Sequence, residues 1–136
     1  MKSVTQRQTK YWKAVKEALS DMGHATNAEL LSHLQRQFPE LSATTVHRVS
    51  SRMAERNAIA FAPSAKNGST RYDNNLKPHD HFQCIDCGTL IDTDLRDRLI
   101  PLIEESIDGC KISGHLTING ICKKCNKEKN HENNNI

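Results

Sequence analysis

Two Cys-x-x-Cys pairs, Cys84/Cys87 and Cys122/Cys125, constrain this chain more than any other feature. Four thiolates offered from two short turns match the ligand set of a closed tetrahedral zinc site. The alternative use of the same residues, a pair of disulfides, needs an oxidising compartment. Met1 to Trp12 is polar and basic with no apolar stretch of signal-peptide length, and no segment approaches the ~20 apolar residues of a membrane span. Zinc rather than disulfides, in a cytoplasmic protein, is therefore the expectation. Cys110 belongs to neither pair and is expected to be a small buried apolar residue.

A metal staple also has a physical reason here. With 136 residues and 36% apolar content, the chain is one compact unit or two small domains, neither of which can bury a large core. A C-terminal piece of roughly 55 residues lies in the range where unaided domains are marginal. Charge is unevenly placed: Met1 to Pro78 carries twelve Lys/Arg against six Asp/Glu, and the remainder seven against ten. A basic N-terminal half suits nucleic acid, although an ordinary solvated surface would look the same on charge alone.

Hydrophobic periodicity makes the N-terminal half more specific. Trp12, Val15, Leu19 and Met22 predict a first helix over about 9–21, closed near Gly23. Thr26 with Glu29 forms a capping box for a second helix, whose apolar stripe is Ala28, Leu31, Leu34 and Phe38 and which Pro39 ends. Ser42 is an N-cap for a third helix to about Arg56, with Val46, Val49 and Met53 inward and Thr44, Thr45, His47, Arg48, Arg52 and Arg56 outside or flanking. Residues 59–62 and 69–73 read as strands around Lys66-Asn67-Gly68-Ser69, a hairpin turn signal. Three helices and a basic hairpin make a winged helix-turn-helix, which places its third helix in the DNA major groove and sets the wing's cations against phosphate. The expected DNA contacts are Thr44, Thr45, His47, Arg48 and Arg52 on the helix and Lys66 and Arg71 on the wing.

Residues 74–78 form a polar hinge, and the zinc-stapled domain follows over 79–125. Strands are expected at 82–84 and 89–91 around the first cysteine turn, where Gly88 allows a tight backbone. Leu95, Leu99, Leu102, Ile103 and Ile107 predict a helix over about 93–107, kinked or split by Pro101, and further strands are expected at 111–113 and 115–119. One helix on so small a sheet needs a partner surface, so a homodimerisation domain is expected. The fold class is thus α+β: an N-terminal winged helix-turn-helix over 1–73 and a small C-terminal α/β dimerisation domain with a four-cysteine zinc site. The tail, 126–136 with His131, reads as disordered, and His33 as a solvated helix position.

The winged helix, the run His79-Asp80-His81-Phe82-Gln83-Cys84-Ile85-Asp86-Cys87-Gly88 and the closing Gly120-Ile121-Cys122-Lys123-Lys124-Cys125 together resemble the ferric uptake regulator family of metalloregulators, from about Thr9 to Cys125. Ser42-Ala43-Thr44-Thr45-Val46-His47-Arg48 resembles the family's recognition helix, departing from it at His47, where tyrosine is usual, and at Ser50, where leucine is usual. The resemblance is nearest to the peroxide-responsive repressors (PerR) of the family. It implies a regulatory ion held by His24, Asp73, His79, His81 and Asp92. Three imidazoles and two carboxylates form a nitrogen/oxygen site that suits iron(II) or manganese(II), where a four-sulfur cage suits zinc.

By the same resemblance, a carboxylate at Asp73 disfavours zinc sensing, and Asp92, where iron-responsive members usually carry glutamate, leans toward peroxide sensing by histidine oxidation. A further metal site of some relatives is incomplete, with Gly114 in place of a histidine, His115 one position off, and Leu99 in place of a glutamate, so two metals per subunit are expected. The expected function is a metal-dependent DNA-binding repressor that senses peroxide and acts as a homodimer on a pseudo-palindromic operator. Two alternatives stand beside it: an iron- or manganese-responsive uptake regulator, and a constitutive DNA-binding protein with structural zinc alone. Taken singly, His24 reads better as a cap or surface residue and Asp73 and Asp92 as turn formers, and His79 and His81 could merely pair with Asp80. No nucleophile elbow, phosphate loop or cofactor fingerprint points to an enzyme.

Overall fold

The computed structural model of the chain describes residues 4–133, with side chains over 10–129. Its contacts divide into two units, Met1–Leu76 and Lys77–Ile136, a boundary inside the expected hinge.

In the first unit, α1 (Val4–Met22) begins earlier than its periodicity suggests and ends where Gly23, at φ 80°, turns its N–H back to the Leu19 carbonyl. The strand β1 (His24–Thr26) has no period to betray it and was not expected. It leads into α2 (Asn27–Leu34) through the predicted capping box, in which Glu29 N–H donates to Thr26 Oγ1 and Thr26 N–H donates to Glu29 Oε1. Ser42 caps α3 (Ala43–Glu55) by accepting from Thr45 N–H. Strands β2 (Ala60–Ala62) and β3 (Arg71–Asp73) form the wing, shorter than predicted, and the sheet order is β1-β3-β2. At the wing's tip Asn67 Oδ1 accepts from Ser69 N–H, and Gly68 takes a φ of 87° that a side chain would strain.

The helices close on Val15, Leu19, Leu30, Val46, Met53 and Ile59, all essentially inaccessible. Leu30 joins the predicted Leu34 as a buried residue of α2, while the predicted Ala28 is exposed. Truncating Leu30 leaves a cavity that the surrounding helices cannot fill. Leu30→Ala is expected to cost about 2–5 kcal/mol, read as an earlier denaturant midpoint for the N-terminal unit.

The second unit is built on β4 (Asp80–Cys84), with β5 (Leu90–Thr93) antiparallel on one side and β6 (Thr117–Gly120) parallel on the other. Helix α4 (Arg96–Ser106) runs through Pro101 without interruption, and the expected strand at 111–113 is absent. Its backbone is tied instead to the helix, where Ile112 N–H donates to Glu104 Oε2. No side chain of α4 is buried in the single chain, and Ile91, Leu95, Leu102, Ile107 and Ile118 stand exposed. Cys110 is exposed too, contrary to expectation, because the turn after α4 carries it to the surface.

Helix α5 (Lys123–Asn133) follows, so residues 126–133 of the expected tail are helical. The second cysteine turn leads into it, and Lys129 pairs with Asp86 of the first turn at 3.1 Å. The His131 side chain and residues 134–136 lie outside the described residues. No helix among the described residues is long and apolar enough to cross a membrane.

Candidate metal centres

The parallel pairing of β4 and β6 brings the cysteines together. Cys84 is in register with Gly120, so both strands finish at the same edge and each runs straight into its Cys-x-x-Cys turn. Gly88, at φ 79°, closes the first turn with its N–H on the Cys84 carbonyl. The four sulfurs lie within 4.8 Å of one another, with Cys87 Sγ 3.7 Å from Cys122 Sγ, and no disulfide forms. Tetrahedral bonds of ~2.3 Å to a common zinc require sulfurs about 3.8 Å apart, so the cluster is compatible with a structural zinc.

The thiols also differ in how readily each ionises. Backbone N–H groups of Cys87 and Cys122 point at Cys84 Sγ and draw its thiol down to about 6 against the opposing effect of burial. Cys87 is lowered by the Thr89 hydroxyl, 3.0 Å from its sulfur. Cys125 is pushed up to about 12 by hydrogen bonding with the Cys122 side chain and by burial. A cage crowded with sulfur thus keeps a proton that a divalent cation would displace.

The remaining candidate ligands fall into two sets, one in each unit. In the first unit His24 and Asp73 are cross-strand partners in the β1–β3 register, and His24 Nε2 is 3.5 Å from Asp73 Oδ2. Asp73 also accepts from Asn75 N–H, which shapes the chain leaving the wing.

In the second unit His81 and Asp92 are cross-strand partners of β4 and β5, with His81 Nε2 3.2 Å from Asp92 Oδ1. His79 Nε2 lies 3.6 Å from the same oxygen, and the His79 and His81 rings meet edge to face at 4.5 Å. His79 Nδ1 lies 2.6 Å from the Lys77 carbonyl, which accepts only, so Nδ1 donates and the neutral ring's lone pair sits on Nε2. A neutral ring thus presents a ligand lone pair beside the carboxylate, and a protonated one an ion pair with it. Anchoring the far ring nitrogen on a backbone carbonyl is also the usual support for a metal-bound histidine.

Asp80 does not pair with these histidines. Strand alternation turns it to the opposite face, where it is buried and accepts from Arg96 at 3.0 Å and from Leu116 N–H at 2.8 Å. Arg96 was not among the sequence candidates, although alternation puts Asp80 on the face opposite His81. His115 Nδ1 meets the His79 carbonyl at 2.7 Å.

On α3, Thr44, His47 and Arg48 are exposed, and Thr45 and Arg52 are half-buried. Lys66 is exposed at the wing tip, but Arg71 is buried at 7% exposure within the β1-β3-β2 sheet. Of the expected wing contacts, Lys66 is thus accessible in the single chain and Arg71 is not.

The profile of the Ferric uptake regulator family matches residues 2–117. The chain is 28% identical over 115 residues to the peroxide operon regulator of Bacillus subtilis, covering 83% of this chain and 79% of that protein. It is 30% identical over 115 residues to the ferric uptake regulation protein of Campylobacter jejuni, covering 78% and 70%. The solved Campylobacter jejuni peroxide stress regulator shares the fold with a TM-score of 0.68 at 21% identity, covering 91% of this chain and all of that one. The winged helix, the four-cysteine cluster and a match over most of its length place this chain in the ferric uptake regulator family, whose members are dimeric, DNA-binding, metal-responsive transcription regulators and not enzymes.

Proposed function

We propose that this chain is a peroxide-sensing repressor whose affinity for DNA depends on iron(II) or manganese(II) held by His24, Asp73, His79, His81 and Asp92. The observation that carries the reading is the convergence of His79 and His81 Nε2 on one Asp92 oxygen, with His79 Nδ1 committed to a carbonyl. That set offers three donors and the His24–Asp73 pair two. Three such donors can hold iron(II) with its other positions open, and all five together would fill most of an octahedral shell. Sharing one ion would tie the DNA-binding unit to the other and fix the spacing of two recognition helices on an operator with two-fold symmetry. Zinc in Cys84, Cys87, Cys122 and Cys125 would have a folding role only, since four protein ligands leave no open position. The exposed apolar side chains of α4, β5 and β6 supply the surface on which two copies pair, and a regulator of this kind works in the cytoplasm, where the chromosome lies.

When bound, iron(II) would supply the electron that makes an oxidant of hydrogen peroxide. The chain's part is to hold imidazoles beside it and to lose its grip once they change. Brief peroxide treatment of the iron-loaded protein is expected to add one oxygen atom to a peptide containing His24 or His79, with DNA released in parallel. The manganese form is expected to show neither change. Mass spectrometry beside a mobility-shift assay checks this, and unmodified histidines with DNA retained would exclude peroxide sensing. The likeness to the Campylobacter jejuni ferric uptake regulation protein favours a second reading, response to metal level alone. In that case DNA binding tracks iron concentration and ignores peroxide.

A further inference from the structure

The geometry points to His47 as a base-reading residue whose tautomer is set by Asn27, so that it offers an Nε2–H donor to guanine in the major groove. The inference deepens the DNA-binding reading and rests on it. Asn27 opens α2, while His47 and Ser50 lie one turn apart on α3. Ser50 is completely buried, and its Oγ lies 2.7 Å from Asn27 Oδ1, the usual length of an O–H···O bond. Its other acceptor, the His47 carbonyl, is farther away at 3.2 Å. A hydroxyl has one hydrogen, and the shorter contact takes it. The Asn27 oxygen therefore faces Ser50, and its NH2 faces His47, where Nδ2 is 3.3 Å from Nδ1.

An amide NH2 only donates, so Nδ1 of His47 accepts and the proton of the neutral ring sits on Nε2. The ring is exposed, between the exposed Thr44 and Arg48 on the helix that carries DNA recognition. A single N–H donor suits guanine best, because guanine alone presents two adjacent acceptors, O6 and N7, in the major groove. Adenine sets an amino donor beside its N7, and cytosine presents a donor. The two departures from the family's recognition helix, His47 and Ser50, are thus one device joined through Asn27. Ser50 orients the amide and Asn27 is a positioning residue. His47 alone would touch the base.

Two measurements test this. Long-range nitrogen–proton NMR of the full chain is expected to show His47 protonated at Nε2 and bare at Nδ1, with Asn27→Ala giving mixed tautomers. A proton on Nδ1 in the wild type overturns the inference. Selection of duplexes from a random pool by the manganese-loaded protein is expected to yield a site in which His47→Ala loses preference for one guanine per half-site, by about 5-fold for a single hydrogen bond. Preferences at the other positions are expected to persist. A site unchanged by His47→Ala overturns the assignment and leaves DNA binding intact, whereas failure of the wild type to enrich any sequence overturns the DNA-binding reading itself.

Discussion

Replacing Cys84 by serine, or stripping the metal with a strong chelator, is expected to unfold residues 77–136 while α1, α2 and α3 stay folded. Cys84 is almost wholly buried, ends β4, and receives N–H groups from both turns, so its sulfur anchors each half of the cage. The unit has little else to hold it, since α4 buries no side chain in the single chain. Structural zinc contributes on the order of 10 kcal/mol or more in small domains, far above what the remaining packing can replace. Far-ultraviolet circular dichroism should lose the C-terminal contribution on chelation and regain it with zinc. Retention of the full spectrum without metal would show that the cage is dispensable for folding.

Acidity should act in the same direction. Cys84 ionises readily, but Cys125 holds its proton to about 12 without an ion, so loading must release that proton. Zinc affinity is therefore expected to fall as pH drops through the neutral range toward 6, where Cys84 also becomes protonated. Proton release measured during zinc titration in a weakly buffered solution checks the sign.

His81→Ala is the second change with a large expected effect. It removes the imidazole that meets Asp92 across the β4–β5 register and leaves the cysteine cage intact. The manganese-dependent gain in DNA affinity, on the order of 10- to 100-fold for an allosteric coupling of ordinary size, is expected to fall to near unity. Zinc content and the circular dichroism of the variant should match the wild type, which separates loss of sensing from loss of fold. DNA binding that remains equally strong with and without manganese in both proteins would instead identify a constitutive binder with structural zinc alone.

Most of the first unit was legible in the sequence because its signals are local. The caps at Thr26 and Ser42, the stop at Gly23 and the inward face Val46, Val49 and Met53 depend on residues three or four apart, and the structure has them where expected. Short strands were harder. β1 has three residues and no period, so only its register against β3 reveals it, and that same register joins His24 to Asp73. The exposure of Cys110 was not legible, since residue type says little about which way a turn faces. Residues 126–133 read as a tail because their composition is polar; in the structure they are helical, and Lys129 meets Asp86, distant in sequence.

By itself the sequence determined the paired thiols of a four-cysteine cage and the elements of a winged helix, because ligand chemistry and helical periodicity are written in residue type and short spacing, whereas His24, Asp73, His79, His81 and Asp92 were singled out only through the family resemblance. Tertiary structure alone decided which of them meet. Parallel pairing of β4 with β6 sets the two cysteine turns side by side, strand register sets Asp92 against His81 and sends Asp80 to Arg96, and the packing of α2 on α3 links Asn27 to His47 and Ser50. These are contacts between segments far apart in the chain, and their register follows from how whole strands and helices pack rather than from any local pattern.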